Sequence, residues 1–141
     1  IERHKNTHHI GLGYIQGYGL KSGAVATSVA HDSHNIICVG TNDEDMAFAV
    51  NRIARNRGGI VVVENGQVLA ELPLEIAGII SGKPLREVNT LLEDAKKAAH
   101  ALGVGTDIDP FMTLSFMSLP VIPTLRLTTR GVVDVNTQQY V

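Results

Sequence analysis

Short apolar runs bounded by glycine or polar residues dominate the N-terminal part of the chain. Residues 11–17 (GLGYIQG), 24–30 (AVATSVA) and 36–40 (IICVG) have this composition. Runs of this kind, rich in β-branched side chains or ending at glycine, are typical of β-strands. We therefore predict three strands here, with a polar stretch at residues 31–35 between the second and the third.

A helical pattern follows the third predicted strand. Thr41 is followed three positions later by Glu44, which is the pattern of a capping box. Apolar residues then recur at helical spacing, at Met46, Ala49, Val50 and Ile53. We predict a helix from about residue 43 to 57, ended by Gly58-Gly59. Its last turns carry Arg52, Arg55 and Arg57, which we interpret as a solvated helix end that complements the helix dipole rather than as an anion site.

The middle of the chain predicts a hairpin and a second main helix. Residues 60–64 and 67–72 flank Asn65-Gly66, the dipeptide that best suits a two-residue type I′ turn. A short helical segment is expected after Pro73. Pro84 suits the first turn of a helix, and an amphipathic stretch runs from there to Gly103.

The C-terminal part predicts irregular structure and two further strands. Its apolar residues cluster between 111 and 117, and the prolines of the LPVIP segment at 119–123 favour an edge or an irregular crossover. Strand-like runs follow around 125–127 and 132–135. The predicted fold class is α/β (α+β): a single domain with a mixed or mostly antiparallel sheet and two to three helices packed on it.

Composition narrows the class of protein. The 141 residues carry 12 Lys plus Arg and 14 Asp plus Glu, a net charge of −2, and only 4% are aromatic. Without a basic patch or a stacking platform, we expect no nucleic-acid partner. We also expect no membrane partner and a cytoplasmic protein, because no apolar run is long enough to cross a bilayer and no signal segment is visible. Since the first residue is Ile1 rather than Met, we expect the natural start to lie upstream.

The single cysteine, Cys38, cannot form an intrachain disulfide. Its neighbours Ile36, Ile37 and Val39 are apolar, which favours a buried reduced thiol over a redox centre.

The polar stretch between the second and third strands is the main candidate for chemistry. It consists of His31, Asp32, Ser33, His34 and Asn35. Loops at strand ends are where such domains commonly place functional groups, and histidine is both a frequent metal ligand and a frequent general base. The alternative is a hydrogen-bonding cluster that only shapes a tight connection.

Other chemical interpretations are weaker. His31, Asp32 and His34 could supply metal ligands, but no second half of a metal site is visible, so we predict none in this chain. Ser33 lies outside any Gly-x-Ser-x-Gly turn, which argues against a hydrolase triad. Residues 17–24 (GYGLKSGA) lack phosphate-loop spacing, because the lysine precedes the last glycine and a strand follows. Surface or helix-end positions are expected for His8, His9 and His100.

Several blocks carry a resemblance to a known family. Residues 22–53, 71–84 and 110–135 together resemble the C-terminal domain of bacterial and archaeal adenine deaminases of the amidohydrolase superfamily. The AHDSHN block at 30–35 and the following GTND are the most specific part, and ERHK at 2–5 and GYGL at 17–20 also agree.

The resemblance implies a purine-salvage enzyme that hydrolyses adenine to hypoxanthine and ammonia. In such enzymes a metal-dependent barrel, with manganese or iron as the divalent metal, activates the water that attacks C6 of the purine. The barrel's His-x-His motif is missing here, so the resemblance places no metal ligand in this chain, and we expect the chain alone to be inactive. The implied partners are adenine, the barrel domain and further copies in a homo-oligomer.

Three roles remain open for this domain. The loop at residues 31–35 is expected to face the mouth of the barrel, where it would contact the purine or close the site. Alternatively, the domain serves docking or oligomerisation through an apolar surface around Phe111 to Ile122. A third possibility is an autonomous small-ligand module.

Overall fold

Ten elements, arranged as three helices and two antiparallel sheets, make up the fold in the computed structural model, which describes all 141 residues. The elements are β1 (Ala24–Thr27), β2 (Ile37–Gly40), α1 (Asp43–Asn56), β3 (Gly59–Glu64), β4 (Gln67–Pro73), α2 (Leu85–Ala101), α3 (Pro110–Met117), β5 (Leu125–Thr128), β6 (Gly131–Asp134) and β7 (Gln139–Tyr140). The strand orders are β2-β1-β3-β4 and β5-β6-β7. The predicted α/β class is confirmed, with the strands divided between two sheets.

The four-stranded sheet lies between helices on both of its faces. Ala24 and Ala26 of β1 belong to a core cluster that includes Ala49 and Ile53 of α1. Val25 points to the other face, where a larger cluster includes residues of α2 and α3. Because both faces are covered, β1 and β3 are buried along almost their whole length, which explains their continuous apolar sequence.

Helix α1 begins where predicted, but its cap lies one residue later. The side chain of Asn42, not Thr41, accepts the Asp45 backbone N–H at 2.8 Å, and its amide donates to the Asp45 carboxylate at 3.0 Å. Thr41 instead extends the β1–β2 ladder by donating its backbone N–H to the carbonyl of Gly23 at 3.0 Å. The Thr41–Glu44 capping box was therefore wrong, because the backbone N–H and the hydroxyl of Thr41 both donate to the carbonyl of Gly23.

Asp45 links the start of α1 to the β3–β4 turn. Its carboxylate accepts the backbone N–H groups of Gly66 at 2.8 Å and Asn65 at 3.1 Å, and the residue is 3% exposed. Asn65 and Gly66 have φ values of 51° and 70°, as a type I′ turn requires, so the predicted hairpin is confirmed. The bonds from Gly66, Asn42 and Asn65 hold the pKa of the Asp45 carboxyl below its ordinary value.

Asp45→Asn is expected to lower the free energy of unfolding by about 1–2 kcal/mol at neutral pH, because a neutral amide accepts these bonds less strongly. A carboxyl whose folded pKa is depressed stabilises the fold above its unfolded pKa of about 4, and this contribution is lost as pH falls through the folded pKa. Urea titrations should therefore show that the difference in free energy of unfolding between the unsubstituted protein and the Asp45→Asn variant shrinks below about pH 4. Asp43→Asn, at an exposed position of the same helical turn, should change stability by less than about 0.5 kcal/mol. An equal effect of both substitutions would contradict this account.

Three further local predictions were wrong or incomplete. Residues 11–17 form no strand: this glycine-rich segment lies against the second sheet, so close that a Cβ on Gly11 would meet the Thr128 carbonyl oxygen at 1.8 Å. No helix follows Pro73, because a turn closed by an isolated bridge between Ile76 and Ile80 occupies that position. Helix α3 was not predicted, although Asp109 before Pro110 is a signal for a helix start.

The remaining predictions for the C-terminal part are confirmed. The runs around 125–127 and 132–135 correspond to β5 and β6, with the short β7 added beside β6. The LPVIP segment is irregular, and α2 begins after Pro84 as expected. None of the three helices combines the length and the apolar character that a membrane span requires.

Candidate functional site

The loop at residues 31–35 connects β1 to β2, and helix α3 holds its first residue. The backbone N–H of His31 donates to the carbonyl of Ser115 at 3.1 Å, and the Ser118 hydroxyl donates to the carbonyl of His31 at 3.3 Å. The helix that sequence reasoning missed therefore positions the candidate loop.

His34 is fixed by its own backbone and by its imidazole ring. Its N–H donates to the carbonyl of Ala30 at 2.6 Å, and its Nδ1 lies 3.4 Å from the Ala30 backbone nitrogen, which donates to it. Burial lowers the pKa of the His34 imidazole, and the nearby His31 and Arg3 lower it further. The lowered pKa favours the neutral form of the ring. With Nδ1 accepting, the ring proton lies on Nε2, so the side chain offers one N–H donor.

Three rings come together beside this loop. The ring centroids of His31 and His34 are 5.8 Å apart in an edge-on arrangement, and the ring of Phe116 on α3 lies 5.1 Å from that of His31. Both imidazoles are half-buried, and Phe116 is 41% exposed. We call His31, His34 and Phe116 the ring cluster; all three residues are partly exposed.

The other three polar residues of the loop face a different space. Asp32, Ser33 and Asn35 lie at the rim of a mostly apolar cavity of about 810 Å³, which neither histidine lines. The walls of this cavity come from β2, α1, the LPVIP segment, β5 and the chain around residues 10–13. Three of the five predicted residues thus line this cavity, and the two histidines do not.

The N-terminal segment clamps the loop from outside. Arg3 donates from Nε to the carbonyl of His34 at 2.5 Å and from Nη2 to the carbonyl of Ala77 at 2.7 Å, while its backbone N–H donates to Oδ1 of Asn35 at 3.2 Å. Nε2 of His4 lies 2.7 Å from the carbonyl oxygen of Ser33. Sequence reasoning missed these roles, because no local pattern joins positions separated by about thirty residues.

Other candidate residues lie apart from the loop. Cys38 is half-buried rather than fully buried as predicted, and the burial it has raises the pKa of its thiol to about 12, which disfavours the reactive thiolate. His8 and His9 are exposed, and Nδ1 of His100 lies 3.2 Å from the carbonyl oxygen of Val104. The glycine-rich stretch at 17–24 leads into β1 and not into a helix, so it does not form a phosphate-binding loop.

The residues of this chain do not fit a bound divalent metal. No group of three or more His, Cys, Asp or Glu side chains lies in an arrangement that could hold an ion. His31 and His34 form a pair, but no third His, Cys, Asp or Glu side chain completes a metal-binding group with them. We therefore derive no chemical step through a metal on these residues.

The apolar surface expected around Phe111 to Ile122 is only partly exposed. Phe111 and Leu114 are 5% and 2% exposed and belong to the core, because α3 packs them against the sheet. Met112, Phe116 and Val121 remain exposed, at 44%, 41% and 70%. The exposed apolar area thus adjoins the ring cluster through Phe116.

Comparison with known proteins gives one consistent result. Residues 1–139 match the family described as the adenine deaminase C-terminal domain. Similar curated proteins include the adenine deaminase of Nitratidesulfovibrio vulgaris strain Hildenborough, which is 54% identical over 141 residues (99% of this chain, 24% of the relative). Adenine deaminase 2 of Carboxydothermus hydrogenoformans is 53% identical over 137 residues (97% and 24%), and the adenine deaminase of Bacillus subtilis strain 168 is 46% identical over 141 residues (100% and 24%). The chain thus spans about a quarter of the length of these relatives.

Proposed function

The chain belongs to the adenine deaminase C-terminal domain family, and from this premise we propose that it is the C-terminal domain of an enzyme that hydrolyses adenine to hypoxanthine and ammonia. The observation that carries this proposal is the match over residues 1–139 to a domain of proteins about four times as long. In the proposed reaction water adds at C6 of adenine and ammonia leaves. We assign the metal, manganese or iron, to the larger part of the polypeptide, and we place the enzyme in cytoplasmic purine salvage.

Within this enzyme, the ring cluster is proposed to face the catalytic site and contact the purine. Adenine is a flat heteroaromatic ring whose edge nitrogens accept hydrogen bonds. Phe116 and His31 present aromatic faces suited to stacking, and Nε2 of His34 presents a donor. Because α3 and Arg3 hold the loop in place, these groups are oriented before a ligand arrives.

His34→Ala in the full-length enzyme is expected to lower kcat/KM for adenine by about tenfold, because it removes a donor to a partly buried ligand. Steady-state kinetics by absorbance measure this directly. His100→Ala serves as a matched control, since this half-buried histidine lies on α2 outside the ring cluster and should leave kcat/KM unchanged. A change of less than about twofold in both kcat and KM for His34→Ala would reject the purine contact.

The second candidate is a docking or oligomerisation domain, and the exposed Met112 and Val121 favour it. Both roles are compatible with one surface, because Phe116 belongs to the ring cluster and to the exposed apolar area. Measuring the mass of the His34→Ala enzyme in solution separates them. Loss of turnover in a correctly assembled enzyme supports the contact to the site, whereas loss of assembly with retained turnover supports the scaffold.

A further inference from the structure

Strand β2 has an open edge. It is the outermost strand of the four-stranded sheet and pairs only with β1. Two cavities border its other side: the cavity of about 810 Å³ along residues 36–38 and a second of about 880 Å³ along residues 37–43. A groove therefore follows the free edge of the strand over its whole length.

The register of β1 and β2 shows which backbone groups face this groove. Gly23 and Thr41 are a hydrogen-bonded pair, so the antiparallel alternation makes the pairs Val25–Val39 and Thr27–Ile37 hydrogen-bonded as well. The N–H and C=O groups at positions 36, 38 and 40 consequently point outward. The outward-pointing N–H and C=O groups of Cys38 and Gly40 have no backbone hydrogen-bond partner.

The outward groups of Ile36 are already paired, and their partner is Ile1. The Ile1 nitrogen donates to the carbonyl of Ile36 at 2.7 Å, and the Ile36 N–H donates to the carbonyl of Ile1 at 3.0 Å. A reciprocal pair of this kind is the hydrogen-bonded pair of an antiparallel ladder. The pair fixes the direction and the register of a chain that precedes Ile1. The residue directly before Ile1 would lie opposite Ile37, the second residue before it opposite Cys38, and the fourth opposite Gly40.

The surroundings of Ile1 suit the interior of a strand. Its side chain packs in the α1-side cluster with Ile36 and Cys38, next to Met46 and Val50. The side chain of the second residue before Ile1 would follow the same face, toward Met46 and Val50.

We propose that in the full-length protein the residues directly preceding Ile1 form a fifth strand, antiparallel to β2, that closes the open edge of the sheet. This inference rests on the proposed function, in which the chain is the C-terminal part of a longer polypeptide. The occupant of the groove is thus the chain's own upstream segment. It enters the domain beside the loop at residues 31–35 and ties that loop to the larger part of the enzyme.

A disulfide trap in the full-length protein tests the register. A cysteine replacing the second residue before Ile1 should cross-link within one chain to Cys38, because their Cα atoms would be about 5.5 Å apart with both side chains on the α1 face. Diamide at alkaline pH serves as the oxidant, taking up the two electrons and two protons of the thiols. A cysteine replacing the residue directly before Ile1 faces the opposite side and should not react, and Cys38→Ser should abolish the cross-link.

Amide exchange gives a second measurement that needs no substitution. In the full-length protein the Cys38 amide should exchange as slowly as that of Val39, and at least about tenfold more slowly than in the 141-residue chain. Cross-linking at neither position, cross-linking between two chains, or fast exchange of Cys38 in the full-length protein would each overturn the fifth strand. The His34→Ala kinetics do not depend on these outcomes, so the strand and the purine contact fail separately.

Discussion

Gly23→Ala is expected to destabilise the domain by about 3–5 kcal/mol, more than any other substitution considered for this protein. Gly23 directly precedes β1, with a φ of 72° that side chains rarely adopt. A Cβ there would lie 2.2 Å from the carbonyl oxygen of Val63 and 3.0 Å from a methyl group of Leu102. Strand β3 cannot retreat from this contact, because it is buried in the middle of the sheet.

Gly66→Ala is the matched control for this prediction. Gly66 has nearly the same φ, 70°, but no atom lies within 4 Å of the position that a Cβ would take. This substitution isolates the cost of backbone conformation, about 1 kcal/mol. Chemical denaturation of both variants measures the difference. Equal destabilisation would show that the close approach to Val63 contributes nothing.

Ser28→Ala is expected to lower the free energy of unfolding by about 2–3 kcal/mol, because it leaves two buried backbone groups without hydrogen-bond partners. The Ser28 hydroxyl donates to the carbonyl of Gly78 at 2.5 Å and accepts the N–H of Gly59 at 2.7 Å, and all three residues are buried. This side chain therefore joins the end of β1 to the start of β3 and to the turn at 77–78. Arg3 reaches the same turn when it clamps the loop at residues 31–35.

Ser22→Ala is the comparison for Ser28→Ala. Ser22 also donates one short hydrogen bond, 2.6 Å to the carboxylate of Glu64, but it is only half-buried and water can replace the lost partner. Ser22→Ala should lower the free energy of unfolding by less than about 1 kcal/mol, when both serine variants are compared in thermal and urea titrations. If Ser22→Ala proved as harmful as Ser28→Ala, burial of the freed groups would not be the cause.

The elements predicted well from sequence are those with strong local signals. Helix α1, the Asn65-Gly66 hairpin and helix α2 each combine an apolar period with turn or end residues, and all three lie where expected. Helix α3 was missed because its sequence, PFMTLSFM, is apolar around almost the whole helix and shows no periodic face. The strand predicted at residues 11–17 was wrong for a different reason: the conformation of this segment depends on its contact with the second sheet and not on its own composition.

The candidate site was predictable as a group of residues but not as an arrangement. Five consecutive polar residues between two strands stand out in the sequence, and they do form an accessible loop. The direction of each side chain depends on contacts with Ser115, Ser118 and Arg3, which lie far away along the chain. No local pattern could therefore separate the imidazoles from Asp32, Ser33 and Asn35.

The contact between the loop and α3 sets an order of events during synthesis on the ribosome. All four strands of the first sheet lie between Ala24 and Pro73, so they can pair while the rest of the chain is still being made. The carbonyl of Ser115 and the hydroxyl of Ser118 emerge about 40 residues later, roughly 2–8 s at ordinary translation rates. A sheet that pairs during that interval lacks its completed loop, and the ring cluster, which needs Phe116 of α3, assembles among the last features of the nascent domain.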